Sequence, residues 1–194
     1  MMKKIARRVS LLYITTDFIG SAAAWVIFYL YRKYFIETRL YGEYFEMELG
    51  YKLYLGAVLV PLFFISINAL AGFYSDPLRR SRIHEFGKSL GLTLAGVVIL
   101  FFTLILDDAV GSYSTYYRSF FTLFILEFTL TWLPRFIITS VVSSRIHRGV
   151  IGFRTLIVGS NGKAIKLIKE IRSEKKPAGN LLAGYVSING TGAG

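Results

Sequence analysis

Hydrophobic residues in this chain are gathered into four long runs, roughly Val9–Tyr31, Tyr51–Phe73, Phe86–Leu106 and Ser119–Val142. Each run reaches the ~20 residues that a helix rising ~1.5 Å per residue needs to cross a ~30 Å hydrocarbon core. Lipid offers no hydrogen bonds to a bare backbone, so a crossing segment must be helical whatever its local propensity. The pattern predicts a mainly α membrane protein: a four-helix transmembrane bundle over residues 1–150, followed by a short cytoplasmic α/β segment over 151–194.

Charge at the ends of the runs sets the expected orientation. Lys3, Lys4, Arg7 and Arg8 precede the first run; Arg79, Arg80, Arg82 and Lys88 lie around the second link; Arg145, Arg148 and Arg154 follow the fourth. The first link instead mixes basic residues with Glu37, Glu43, Glu46 and Glu48, and the third carries Asp107, Asp108 and Arg118. By the positive-inside rule both termini of this multi-pass protein are expected in the cytoplasm. The net charge of +11 is then explained by topology and by attraction to anionic lipid at about 1 kcal/mol per residue. No basic run alternates with stacking aromatics outside the spans, so a nucleic-acid partner is not expected. The first run resembles a secretory signal at Ala22-Ala23-Ala24, but it stays apolar through Leu30 and contains Asp17, which argues against cleavage. The chain has no cysteine, which excludes a thiol nucleophile, a disulfide frame and a thiolate metal site.

Polar residues inside the spans are the costly ones. A charge at the centre of a spanning helix costs ~2.5–3.5 kcal/mol, so it faces the bundle and finds a partner. Asp17 and Arg135 lie at similar depth on antiparallel helices, with Asn68 near the same level. They are expected to form a structural cluster, Asn68 or the hydroxyls of Thr15 and Thr16 completing its hydrogen bonds. Two roles are open: an interhelical clamp, or a pocket in which Arg135 grips a lipid phosphate with its planar fork. Glu127 lies too far from Arg135 for contact. It is expected to meet Thr129 or Thr103, or to be protonated; as a lone acid it does not make a transport pathway. Gly87, Gly91 and Ala95 on the third span, and Gly20 with Ala24 on the first, are expected to mark close helix contacts. Pro61 and Pro134 are expected to kink their helices. Tyr29, Tyr31, Tyr34, Phe35, Tyr113, Tyr116 and Tyr117 suit the outer interfacial belt.

After Gly152 the pattern changes. Thr155–Val158 reads as a strand, Lys163–Arg172 as an amphipathic helix and Leu181–Ile188 as a second strand. The glycine-rich turn Gly159-Ser160-Asn161-Gly162 stands where a doubly wound fold presents N–H groups to a phosphate. The dinucleotide fingerprint is incomplete: Asn161 holds the place of its second glycine, and Asn189 that of its acidic residue. Those four turn residues are therefore candidates for cofactor contact or for turn geometry alone. One strand–helix–strand unit of about forty residues is below the length that usually folds alone, and a parallel sheet needs both faces covered. The expectation is the first, Rossmann-like unit of a longer polypeptide.

Together these features resemble the amino-terminal part of the large bacterial polyprenyl-phosphate sugar-1-phosphate transferases. The resemblance rests on Asp17 in the first span, the Ala71-Gly72-Phe73-Tyr74 exit and Arg-rich link, and Arg135 in the fourth. It continues through Arg154–Gly162 and Gly184-Tyr185-Val186-Ser187. It implies an anchoring and regulatory portion of an enzyme that moves a sugar phosphate from a nucleotide sugar to undecaprenyl phosphate in exopolysaccharide or O-antigen biosynthesis. Polyprenyl phosphate, other polysaccharide-assembly proteins and a second copy of the chain are the implied partners beside the bilayer. In that family catalysis resembles attack by an aspartate of an Asp-Glu pair, with magnesium, in a carboxy-terminal domain. The adjacent acids here, Asp107-Asp108, fall in the expected outer link, so no catalytic residue, cofactor or metal site carries over to this chain. Membrane-bound nucleotide-sugar dehydratases and epimerases have a similar front half, and a non-enzymatic four-span protein is the remaining alternative.

Overall fold

The computed structural model describes residues 2–37, 50–75, 77–78, 81–105, 113–149, 151–159, 162–173 and 179–186. Its elements are helix α1 (Met2–Tyr31), widened into a π-helical turn over Arg32–Glu37, α2 (Tyr51–Leu70), and α3 (Arg82–Leu100) with a π-helical extension Phe101–Ile105. Then come α4 (Tyr113–His147), strand β1 (Phe153–Val158), α5 (Gly162–Ser173) and strand β2 (Asn180–Val186). Four of the helices are long and apolar enough to cross a membrane. The chain divides into two units, Ala6–Thr139 and the remainder, Met1–Ile5 with Ser140–Gly194.

Several helix ends differ from the hydropathy boundaries, and capping accounts for some of them. The second span stops at Leu70, because Gly72 adopts φ +66°. Its N–H donates to Ala69 O (2.9 Å) and that of Phe73 to Asn68 O (2.8 Å), the paired bonds of a Schellman cap. Ala71-Gly72-Phe73 looks like more span by hydropathy alone, yet glycine ends the helix there. The third span starts at Arg82, because the Ser81 side chain accepts from the His84 N–H (3.2 Å) and caps it. Helix α4 outruns its apolar segment at both ends and closes near Gly149, φ +71°, whose N–H donates to Ile146 O.

Inside the helical unit each element buries a stripe spaced by three or four residues: Tyr13, Asp17, Gly20, Ser21, Ala24 and Phe28 on α1, and Ser119, Leu123, Glu127, Thr131, Arg135 and Thr139 on α4. Phe28, Val60, Phe64, Val97, Leu100 and Leu123 form its apolar layer. Leu55, Leu59, Phe121 and Ile125 are exposed, as side chains that meet lipid should be. Close approach comes from other glycines than expected on α3. A Cβ on Gly20 would sit 2.5 Å from Leu130 O; one on Gly56 would overlap the Trp25 indole, and one on Gly96 the Phe64 ring. Gly87 and Gly91 have nothing within 4 Å of that position. Gly87, Gly91 and Ala95 lie on the exposed side of α3, whose buried stripe is Glu85, Ser89, Thr93, Gly96, Val97 and Leu100.

In the second unit β1 and β2 pair in parallel, Phe153 opposite Asn180 and Val158 opposite Val186, with α5 as the connection. A register shift after Thr155 leaves Ala183 without an opposite residue. Gly184, φ +155°, follows at that bulge. Gly159, φ +137°, ends β1 and donates its N–H to Val186 O (2.9 Å).

Gly20→Ala should therefore destabilise the bundle by about 1–3 kcal/mol, the cost of overpacking against rigid backbone, while Gly87→Ala and Gly91→Ala should be close to neutral. Denaturant titration of the detergent-solubilised protein distinguishes them; equal costs at all three positions would refute the assigned packing face.

Candidate functional site: an intramembrane ion pair

Asp17 on α1 and Arg135 on α4 are both buried and meet as a bidentate pair: Nε donates to Oδ1 and Nη2 to Oδ2, each at 2.6 Å. Two parallel charge-assisted bonds match the guanidinium fork to the carboxylate. The third helix joins through Ser89 on α3, whose Oγ accepts from Arg135 Nη1 (3.0 Å). The residues just past α2 complete the cluster. Tyr74 Oη donates to Asp17 Oδ2 (2.7 Å), and the Arg135 guanidinium lies over the Phe73 ring, 4.1 Å from its centroid. One ion pair thus draws together α1, α3, α4 and the α2 exit.

That exit is itself held in place. Lys88 Nζ donates to Ala71 O (2.6 Å), capping the carbonyl end of α2, and lies 5.7 Å from the Phe73 centroid. Tyr13 packs edge-on against the same ring, and Ser10 Oγ donates to Tyr74 O (2.8 Å). Beside the ion pair runs a second set of bonds. Thr139 Oγ1 donates to Glu85 Oε2, and since a hydroxyl carries one proton, Tyr13 must donate to Thr139 (2.5 Å). Burial, followed by the neighbouring Asp17 carboxylate, pushes the Tyr74 phenol above its ordinary range.

The predicted cluster is thus only partly the observed one. Asp17 and Arg135 come together, but Asn68, though buried, is not bonded to them, and its Oδ1 has no partner among the described residues. Thr15 donates back to Leu12 O, and Thr16 to Leu12 O and Tyr13 O, the local bonds that helical hydroxyls form when nothing better is in reach. Tyr74 and Ser89 fill the role instead. Thr103 likewise bonds its own helix, at Ile99 O and Leu100 O, and does not meet Glu127.

Chemically this is a closed arrangement. Of the two roles left open, the clamp fits best: Arg135 is 1% exposed, its fork is filled by Asp17, its remaining edge reaches Ser89 and its face is covered by Phe73. A lipid phosphate would have to displace Asp17. Among the described residues no group of three or more His, Asp or Glu converges to hold a metal ion. Asp107 and Asp108, and Ser160 and Asn161 of the glycine-rich turn, lie outside the described residues; Gly159 ends β1 and Gly162 opens α5. No protein-family model, curated protein or solved structure matches this chain.

Removing the Tyr74 hydroxyl should cost about 1–2 kcal/mol, the net worth of one partly buried hydrogen bond to a charged group. The pH dependence follows from the raised phenol. Above about pH 10 the unfolded-state tyrosine ionises while the folded one keeps its proton, so stability falls as pH rises. Tyr74→Phe should lower stability at neutral pH and flatten that alkaline decline. Unfolding curves of both proteins across the alkaline range test this; identical slopes would rule it out.

Proposed function

We propose that this chain is the membrane-anchoring and regulatory portion of an enzyme resembling the polyprenyl-phosphate sugar-1-phosphate transferases. The observation that carries the anchoring role is the filled fork of Arg135, which is spent on holding helices together rather than held open for a phosphate. The choice of enzyme class is supported by the sequence resemblance at Asp17, Ala71–Tyr74, Arg135 and Arg154–Gly162.

The β1–α5–β2 unit is read as the opening of a Rossmann-like domain. In its favour are the parallel pairing and the left-handed glycine at the end of β1. Leu156, Val158 and Val186 on the sheet are exposed, and a parallel sheet is normally covered on both faces; more α/β structure packed there would satisfy it. The resemblance implies a bacterial inner membrane, and the basic flanks imply that both termini are cytoplasmic. The alternative of a nucleotide-sugar dehydratase or epimerase anchor rests on the same features, and a free-standing four-span protein would need another cover for the sheet.

Two experiments test the proposal. Because the chain lacks cysteine, single-cysteine variants report sidedness with a membrane-impermeant maleimide. Tyr51→Cys should label in intact cells and Ser75→Cys only after permeabilisation; the reverse pattern would invert the topology. Reading the coding frame beyond Gly194 tests the class. An Asp-Glu pair behind a hydrophobic re-entrant segment supports the transferase, a second glycine fingerprint with Tyr-x-x-x-Lys the dehydratase, and a stop codon at that point neither. Membranes holding this chain alone, given a labelled nucleotide sugar, undecaprenyl phosphate and magnesium, should transfer no sugar phosphate; measurable turnover would overturn the anchoring role.

A further inference from the structure

Glu127 on α4 stands apart from the ion pair. It is 1% exposed, and neither carboxylate oxygen has a hydrogen-bond partner among the described residues. Ser21 on α1 is beside it, equally buried, its own hydroxyl without a partner among the described residues. Thr131, one turn along α4, cannot help: its hydroxyl proton is given to the Glu127 backbone carbonyl (2.7 Å). One turn the other way Leu123 belongs to the apolar layer, to which α2 and α3 contribute Val60, Phe64, Val97 and Leu100. Among the described residues, the charged groups that act on Glu127 are Asp17 on α1 and Arg135 on its own helix, and these neutralise each other.

Among the described residues an ionised carboxylate there would have no counter-ion of its own and one serine hydroxyl beside it as donor, and desolvating it on those terms would cost far more than binding a proton. We infer that Glu127 is a proton-binding site within the bundle, a carboxylic acid whose hydroxyl faces Ser21. The ligand is the proton itself. A site for a monovalent cation would need several converging oxygens, and replacing choline by sodium in the test below separates that case from a proton site. This inference is independent of the enzyme class proposed above.

The test uses the full chain, purified in detergent at neutral pH. Dicyclohexylcarbodiimide reacts with protonated carboxyls in apolar surroundings and leaves a stable adduct. One reagent mass is expected on the peptide carrying Glu127, lost in Glu127→Gln and unaffected when sodium replaces choline in the buffer. Infrared spectroscopy should show a carboxylic-acid C=O band that moves down in D2O and disappears in Glu127→Gln. Should that variant fail to fold, Glu127→Asp keeps the acid and must shift the band rather than abolish it. The band decides where the reagent lacks access. Its absence from the unaltered protein, or labelling abolished by sodium, would overturn the proposal.

Discussion

A guanidinium and a carboxylate buried within a helix bundle can remain charged only together. Separately, Asp17 and Arg135 would each cost kilocalories to place between apolar helices; joined through two parallel hydrogen bonds of 2.6 Å, each becomes the other's solvent. Much else in the helical unit is arranged around that fact. Ser89 accepts the remaining edge of the guanidinium, Phe73 covers its face and Tyr74 donates to the carboxylate. The turn that ends α2 is therefore also part of the pair's enclosure. Buried ion pairs are weak stabilisers compared with well-packed apolar residues, but strong enforcers of geometry, because the loss of either partner strands the other. In a bundle where lipid removes the usual hydrophobic drive for helix association, enforcing which helices meet, and at what depth, is what such a pair can do best.

The bundle is layered along its axis. Polar buried side chains recur along the stripes Tyr13–Asp17–Ser21, Glu85–Ser89–Thr93 and Glu127–Thr131–Arg135–Thr139, and they give way to the phenylalanine-rich layer at Phe28, Phe64 and Leu123. Glycines set the spacing at three levels: Gly20 against the Leu130 carbonyl, Gly56 against Trp25 and Gly96 against Phe64. Glu127 sits at the border between the layers, which is why a carboxyl there meets so few polar partners.

Much of this was legible in the chain itself, and the parts that were not have identifiable causes. The four spans follow from hydropathy and length, and the Asp17–Arg135 meeting follows from equal depth on antiparallel helices. The enclosure of the pair was harder to read. Tyr74 lies beyond a helix end that hydropathy places three residues late, because a Schellman glycine does not alter hydropathy. Thr15 and Thr16 were at the right depth, but helical hydroxyls are readily satisfied by their own backbone. The stripe Gly87, Gly91, Ala95 has the composition of a contact face yet looks outward. The decisive signal on α3 was polar rather than small: Glu85, Ser89 and Thr93 at four-residue intervals in an otherwise apolar run. The same interval at Thr131, Arg135 and Thr139 would have pointed to the opposing face.

The central claim is that Asp17 and Arg135 act as one unit in holding the helices. A double-mutant cycle in detergent measures it most directly, with Asp17→Asn and Arg135→Gln made singly and together and unfolding free energies compared. Each single change should cost about 3–5 kcal/mol, by leaving a buried charge uncompensated. The double change should cost less than their sum, by a coupling of about 1.5–3 kcal/mol. Additive losses, or single variants as stable as the unaltered protein, would contradict the account.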